Sequence, residues 1–259
     1  MHMVVEGVRL LKHFALESAY RLAARFPREG LRVLLYHAIN DSGEPVAVPP
    51  RLFAQHLAAL REHGYFFIHA TTLAQFLRGE SSLPARAVLL TFDDGYRDNL
   101  TNALPILEKY EAPAMIFLIS AKLGKTLRAR NGNVLPILSH AEVRSLSSHP
   151  LLTFGSHFHT HTKLTRLSSA RVRDEALCSR RIIEDAAGYA ISFAAYPFGD
   201  WDQRVQEAVS GVYEGCFGVT PGSLTSQSPK LALPRNAIDS ATTPAMARGI
   251  AAVGRVIRV

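Results

Sequence analysis

Two cysteines in 259 residues, Cys178 and Cys216, are too few for a disulfide framework, and both read as ordinary, partly buried thiols. There is a single tryptophan and no motif that interleaves aromatic and basic residues, so a net charge of +7 with a pI near 9.6 does not mark a nucleic-acid binder. The charge favours other anionic partners, such as phospholipid headgroups or an acidic glycan. No run approaches the ~20 apolar residues that a spanning helix needs. Residues 1–25 also lack the unbroken apolar core of a signal peptide, because Arg9, Lys12, His13 and Glu17 interrupt it. The expectation is a cytoplasmic chain, or one peripheral to the inner membrane. Low-complexity tracts are absent, and none of the 11 histidines lies beyond position 161. What the chain does have is 47% hydrophobic content, enough to bury one large core.

The stretch Thr91-Phe92-Asp93-Asp94-Gly95 follows a short apolar run, residues 87–90, which reads as a buried strand. Gly95 breaks the extended pattern and leaves two adjacent carboxylates at the strand's C-terminal end, where α/β folds collect catalytic groups. Side by side they repel unless a cation or a shared proton is present. A divalent metal resolves this if one aspartate coordinates it and the other stays free as a base. A polar Asp-Gly turn accounts for these five residues equally well. The stretch Gly155-Ser156-His157-Phe158-His159-Thr160-His161-Thr162 follows a second apolar run, residues 151–154. His157 and His161 stand four apart, so a helical turn puts both on one face at a common metal-binding spacing, with His159 pointing elsewhere. A solvated polar loop is the competing reading, and the aspartate pair weakens it.

These two stretches, with the later Tyr196-Pro197-Phe198-Gly199, resemble the polysaccharide deacetylase family (NodB homology, carbohydrate esterase 4) over about residues 31–240. The resemblance implies an α/β fold, a distorted (β/α)7-type barrel with a metal-dependent N-deacetylase site at one mouth. It implies Asp94, His157 and His161 as metal ligands, Asp93 as the base, and the Phe198 backbone N–H as an oxyanion donor. The metal would be one divalent ion, zinc by its oxygen and nitrogen ligands, with cobalt, nickel or iron also compatible. In circularly permuted members of the family, a Tyr-His on the first strand replaces a C-terminal histidine that protonates the leaving amine. Tyr36-His37, at the end of an expected strand over residues 31–36, is similar to that version, and the absence of any late histidine agrees with it. The family's usual Arg two residues before Pro197 is Ala195 here. Arg235 is a candidate replacement, with a purely structural Arg as the alternative. Tyr36, Pro197, Phe198 and Trp201 are candidates to line a sugar face, or equally to belong to the core.

The implied activity is removal of N-acetyl groups from an N-acetylhexosamine-containing polysaccharide or oligosaccharide. Two alternatives stay open: a deacetylase or deformylase of a lipid-linked sugar at the inner membrane face, and a catalytically inactive carbohydrate-binding module. Three segments are expected. Residues 1–30 hold a helix with Val8, Leu11, Ala15, Ala19 and Leu22 as its apolar stripe, resting either on a membrane surface or on the barrel. Residues 31–240 form the catalytic domain. Residues 241–259 are a tail that touches a membrane or packs beside the first helix. Within the catalytic domain, residues 124–132 are basic and read as a surface loop, residues 101–111 as a helix, and Asp200 as the cap of a helix over 201–209.

Overall fold

Runs such as Val33-Leu34-Leu35 and Val88-Leu89-Leu90 have no polar face to offer water, so strands built from them must be covered on both sides. That is how they occur in the computed structural model of the protein. It describes residues 2–129 and 131–254, without the side chains of residues 2–11. Expectations that concern the side chains of Val8, Arg9 and Leu11, residue Arg130, or the tail 255–259 therefore lie outside the described residues.

The elements in chain order are α1 (His2–Ala23), β1 (Arg32–Tyr36), α2 (Pro50–Glu62), β2 (Phe66–Phe67), α3 (Ala70–Arg78), β3 (Ala87–Phe92), α4 (Leu104–Lys109), β4 (Ala114–Leu118), β5 (Thr126–Arg128), β6 (Val134–Pro136), α5 (His140–Leu146), β7 (Leu152–Ser156), α6 (Ser169–Ala187), β8 (Phe193–Ala195), α7 (Gln203–Val209), β9 (Gly215–Phe217), β10 (Asn236–Ala237) and α8 (Pro244–Val253). The main sheet runs β10-β1-β3-β4-β7-β8-β9, every pairing parallel, with β2 added beside the start of β3. The segment leading into β10 also bridges β9, through the Leu233 N–H to the Cys216 carbonyl and the Gly218 N–H to the Leu233 carbonyl. The sheet thus curls into the distorted barrel expected for the family.

Strand residues alternate between two cores. Leu34, Leu90, Ile116, Phe154 and Ala194 pack outward with the surrounding helices. Val33, Leu89, Met115, Phe117, Phe193, Ala195, Phe217 and Leu233 form the second cluster, with Leu73 and Ala74 of α3. This parity decides the site, because the next residue in each inner row stands at the mouth. Val33 and Leu35 lead to His37, Leu89 and Thr91 to Asp93, Thr153 and Gly155 to His157, and Leu233 to Arg235. Gly155 keeps its row open: a Cβ there would lie 2.5 Å from the Phe117 ring.

Several helices begin as their sequences dictate. Ser139 and Glu142 form a reciprocal capping box on α5, and Ser168 caps α6. Four local expectations need correction. Residues 124–132 are not a plain loop, since β5 pairs with β6 in an antiparallel hairpin. Asp202, not Asp200, caps α7; Asp200 instead accepts hydrogen bonds from the Thr165 N–H and hydroxyl. The helix at 101–111 begins as a π-helical turn, Asn99–Ala103, before α4. The first helix packs on the barrel through Leu16 and Tyr20, so Ala15, Ala19 and Leu22 of the expected stripe face outward or sideways. It packs closely on α8, where a Cβ on Gly249 would lie 2.5 Å from that of Tyr20.

His56, on α2, joins the first strand to the C-terminal helix. Its Nε2 donates to the Thr242 carbonyl at 2.7 Å, and its Nδ1 accepts from the Tyr36 hydroxyl at 3.3 Å. Burial pushes the imidazole down to about 4 and outweighs the Thr242 carbonyl bond and the nearby Asp239 charge, which favour the protonated ring. A base with a depressed folded pKa contributes stability that is full above its unfolded value, ~6.5, and is lost as pH falls toward about 4. Chemical denaturation between those limits should show about 3 kcal/mol of acid-linked loss. The slope should flatten in His56→Gln; an unchanged slope would contradict a neutral buried His56.

Candidate active site

The two aspartates leave β3 in different conformations and acquire different chemistry. Asp93 continues the inner row and is buried, its N–H bonded to the Tyr36 carbonyl at 3.0 Å. The fully buried Arg235 holds it by two bonds, Nη1 to Oδ1 at 2.6 Å and Nη2 to Oδ2 at 2.8 Å. Arg235 Nε donates to the Gly218 carbonyl at 2.9 Å, and its guanidinium lies near the Phe117 and Phe217 rings. Burial alone would raise the Asp93 carboxyl, but the charge of Arg235 and its two hydrogen bonds hold it well below the usual range. Arg235 thus supplies a guanidinium contact to Asp93 that the methyl side chain of Ala195 cannot.

Asp94 turns the chain with φ +72°, and its side chain meets the two histidines. His157 Nε2 lies 3.5 Å and His161 Nε2 3.4 Å from Asp94 Oδ1. The His157 Nδ1–H donates to the Ala195 carbonyl at 2.7 Å, which fixes the tautomer and leaves the Nε2 lone pair aimed at the cluster. Burial pushes His157 down to about 3 and lowers His161 as well, so both rings are neutral. Burial pushes Asp94 up to about 6, and its Oδ1 has no hydrogen-bond donor among the described residues.

A buried carboxylate oxygen facing two neutral imidazole lone pairs has unmet demand for a cation. Asp94, His157 and His161 offer one ligand atom each within 4.8 Å of one another. Ligands ~2.0–2.1 Å from a tetrahedral zinc stand about 3.4 Å apart. The two Asp94–histidine separations match that spacing, so the residues present fit a divalent ion. His157 and His161 do not reach this arrangement on a helical turn. His157 follows directly on β7, the chain then runs irregularly, and His161 has φ +60°. His159 points away, its Nδ1 2.9 Å from the Ser120 hydroxyl.

His37 lines the same cleft, and its Nδ1 is buried without a partner among the described residues. Phe198 also lines it. The residue is 55% exposed, its ring centre lies 4.5 Å from that of His161, and its backbone has φ +60°. Of six non-glycine residues with positive φ among those described, Asp94, Phe158, His161 and Phe198 gather here. Such backbone is costly and persists where the surroundings enforce it. Three sugar-facing candidates do not reach the cleft. Tyr36 is fully buried, stacked on Phe92 and bonded to His56, because it sits on the outer row beside His37. Pro197 is buried, and Trp201 packs toward Tyr196 and Gly218.

A profile of the polysaccharide deacetylase family matches residues 80–212, just over half of the chain. The chain belongs to the polysaccharide deacetylase family. It is 26% identical over 206 residues to YxkH of Bacillus subtilis, named for the same family, covering 79% of this chain and 70% of that one. It is 32% identical over 93 residues to the poly-beta-1,6-N-acetyl-D-glucosamine N-deacetylase of Escherichia coli (strain K12), covering 35% of this chain and 14% of that enzyme. Among solved structures, IcaB from Ammonifex degensii shares the fold with a TM-score of 0.75 at 23% identity, covering 87% of this chain and 97% of that one.

In this polysaccharide deacetylase, several supporting residues escaped the sequence reading. Glu175 of α6 is a buried carboxylate that accepts from the His159 N–H at 3.0 Å and from the Thr160 N–H and hydroxyl, both at 2.8 Å, which braces the loop carrying His161. Asn99 Nδ2 donates to the His37 carbonyl at 2.9 Å, and Asp98 Oδ1 accepts from the Ile39 N–H at 3.0 Å, which ties the segment after β1 to the aspartate turn. The Tyr96 hydroxyl hydrogen-bonds the Asp94 carboxylate. Tyr96, Asp98 and Asn99 follow the Asp93-Asp94 turn within five residues, a local cue; Glu175 carried none. Leu127, Arg128 and Ala129 of the β5–β6 hairpin form part of the cleft wall, together with the buried Glu44, whose Oε2 accepts from the Asn131 N–H at 3.0 Å.

Proposed function

We propose that this protein is a metal-dependent N-deacetylase of an N-acetylhexosamine-containing glycan. The observation that carries this is the division of labour within Asp93-Asp94: one carboxylate clamped and ionised by Arg235, the other grouped with two neutral histidines. A divalent ion held by Asp94, His157 and His161 would supply Lewis acidity toward an amide carbonyl and lower the pKa of water toward ~7. Zinc suits this ligand set, and cobalt, nickel and iron share the same donors. Asp93 accepts the proton of the attacking water, and Arg235 keeps both its oxygens oriented. The Phe198 N–H donates to the developing oxyanion, while its exposed ring offers a face to the sugar. His37, across the cleft, delivers a proton to the departing amine. The E. coli relative is named for an N-acetylglucosamine polymer, which supports that class of substrate here.

The test is acetate release from N-acetylglucosamine oligomers by metal-loaded protein, compared with chelator-treated protein. Stoichiometric metal with no acetate released from any N-acetylhexosamine oligomer would favour a binding module and overturn the assignment. His37→Ala should lower turnover by ~10²–10³-fold with metal content unchanged, since an amine leaves poorly unless protonated. The loss should shrink on an acetate ester, whose alkoxide is the better leaving group. Equal losses on amide and ester would count against His37 as the leaving-group acid.

A further inference from the structure

The three most exposed large apolar side chains among the described residues are Phe26, Phe14 and Leu22, at 73%, 72% and 59%. All belong to α1 or the turn after it. On the helix, Phe14, Ser18, Arg21 and Leu22 recur at i, i+4, i+7 and i+8, so they share one face, and Arg25 follows in the turn after it. That face is opposite Leu16 and Tyr20, which pack on the barrel. Leu22 also lines a groove with Arg21, Arg25, His63 and Arg248. Residues 12–28 carry Lys12, Arg21, Arg25 and Arg28 against Glu17, which pairs with Arg21. None of these residues lines the catalytic cleft.

We infer that this face docks on an anionic phospholipid bilayer. The occupant must accept bare apolar rings and clustered guanidinium groups together. A nucleic acid or acidic glycan answers the charge but gives Phe14, Leu22 and Phe26 nothing to enter. A second copy of the chain answers the apolar surface but brings cations against cations. A bilayer with acidic headgroups answers both: the apolar side chains enter the headgroup–acyl boundary while the arginines meet phosphate. Phe26 and Arg28 lie at the strand N-terminal end of the barrel, where the Arg28 N–H bonds the Ala252 carbonyl and the buried Arg32 reaches the Arg28 carbonyl. Phe14, Leu22 and Phe26 all lie outside the catalytic cleft, so docking through this face leaves the cleft open to a substrate chain.

The experiment is co-sedimentation of the full chain with vesicles of phosphatidylcholine alone and with added phosphatidylglycerol, at low and high salt. The protein should sediment with the anionic vesicles, less so as salt rises. The combined variant Phe14→Ser, Leu22→Ser and Phe26→Ser should bind at least ~10-fold more weakly, as should Arg21→Gln with Arg25→Gln. Both variants change exposed side chains, so melting temperature and acetate release from soluble oligomers should match the parent. Three results would overturn the inference: no sedimentation of the parent with anionic vesicles, undiminished binding by the apolar triple variant, or a parent dimer that the triple variant dissociates.

Discussion

Asp93→Asn should lower acetate release by ~10³–10⁴-fold while elemental analysis still finds the metal. The amide keeps the shape of the carboxylate but cannot take a proton from water. Arg235 holds the native carboxyl well below its usual range, so Asp93 is ionised throughout neutral and mildly acidic conditions and needs no activation of its own. Arg235 in the variant faces one acceptor where it had two, and a buried charge left without its partner destabilises a fold by about 3–5 kcal/mol. Melting measured beside turnover separates that cost from the catalytic loss. For the same reason Arg235→Ala is the less informative change, since it strands Asp93. Near-normal turnover in Asp93→Asn, or metal loss equal to that of Asp94→Asn, would refute the assignment of base and ligand.

His157→Ala and His161→Ala should each lose most of the bound metal, and activity with it, beyond the ~10–100-fold typical of changes outside the ligand shell. Among the described residues three side chains supply ligand atoms here, so removing one leaves two, too few to hold a divalent ion against water. His157 should be the more severe loss, because its tautomer is fixed by the Ala195 carbonyl and its ring is buried. His159→Ala should retain metal, since its ring faces Ser120. Full metal occupancy in His161→Ala, read by elemental analysis, would show that the cluster is not the ligand set.

Much of this arrangement was written in local sequence. Strands buried on both faces show as unbroken apolar runs, and the residues that end them, His37, Asp93 and His157, were visible as chemistry stranded at a strand terminus. Adjacent carboxylates and paired histidines together pointed to a cation, although a polar turn or a solvated loop would account for each stretch alone. The same alternation could have shown that Tyr36 and His37 face opposite ways, which removes Tyr36 from the sugar-facing set. The basic residues at 124–132 hid a hairpin, because two short exposed strands carry no apolar pattern to reveal them.

Other features could only come from the folded chain. Asp93 and Arg235 are separated by 142 positions, and nothing near either one announces the other. The Ala195 carbonyl that orients His157 is a backbone group present at every residue, so no sequence marks it out. Glu175 looks like one more charge on a solvated helix until α6 packs beneath the histidine loop. His157 and His161 keep their helical spacing without a helix, because a left-handed turn brings the rings together instead. The sequence determined which chemical groups reach the ends of the strands, since strand period and residue type are local properties. Tertiary structure decided which aspartate is clamped and which is left for a metal, because that choice depends on contacts made only when the sheet curls to bring β10 beside β1.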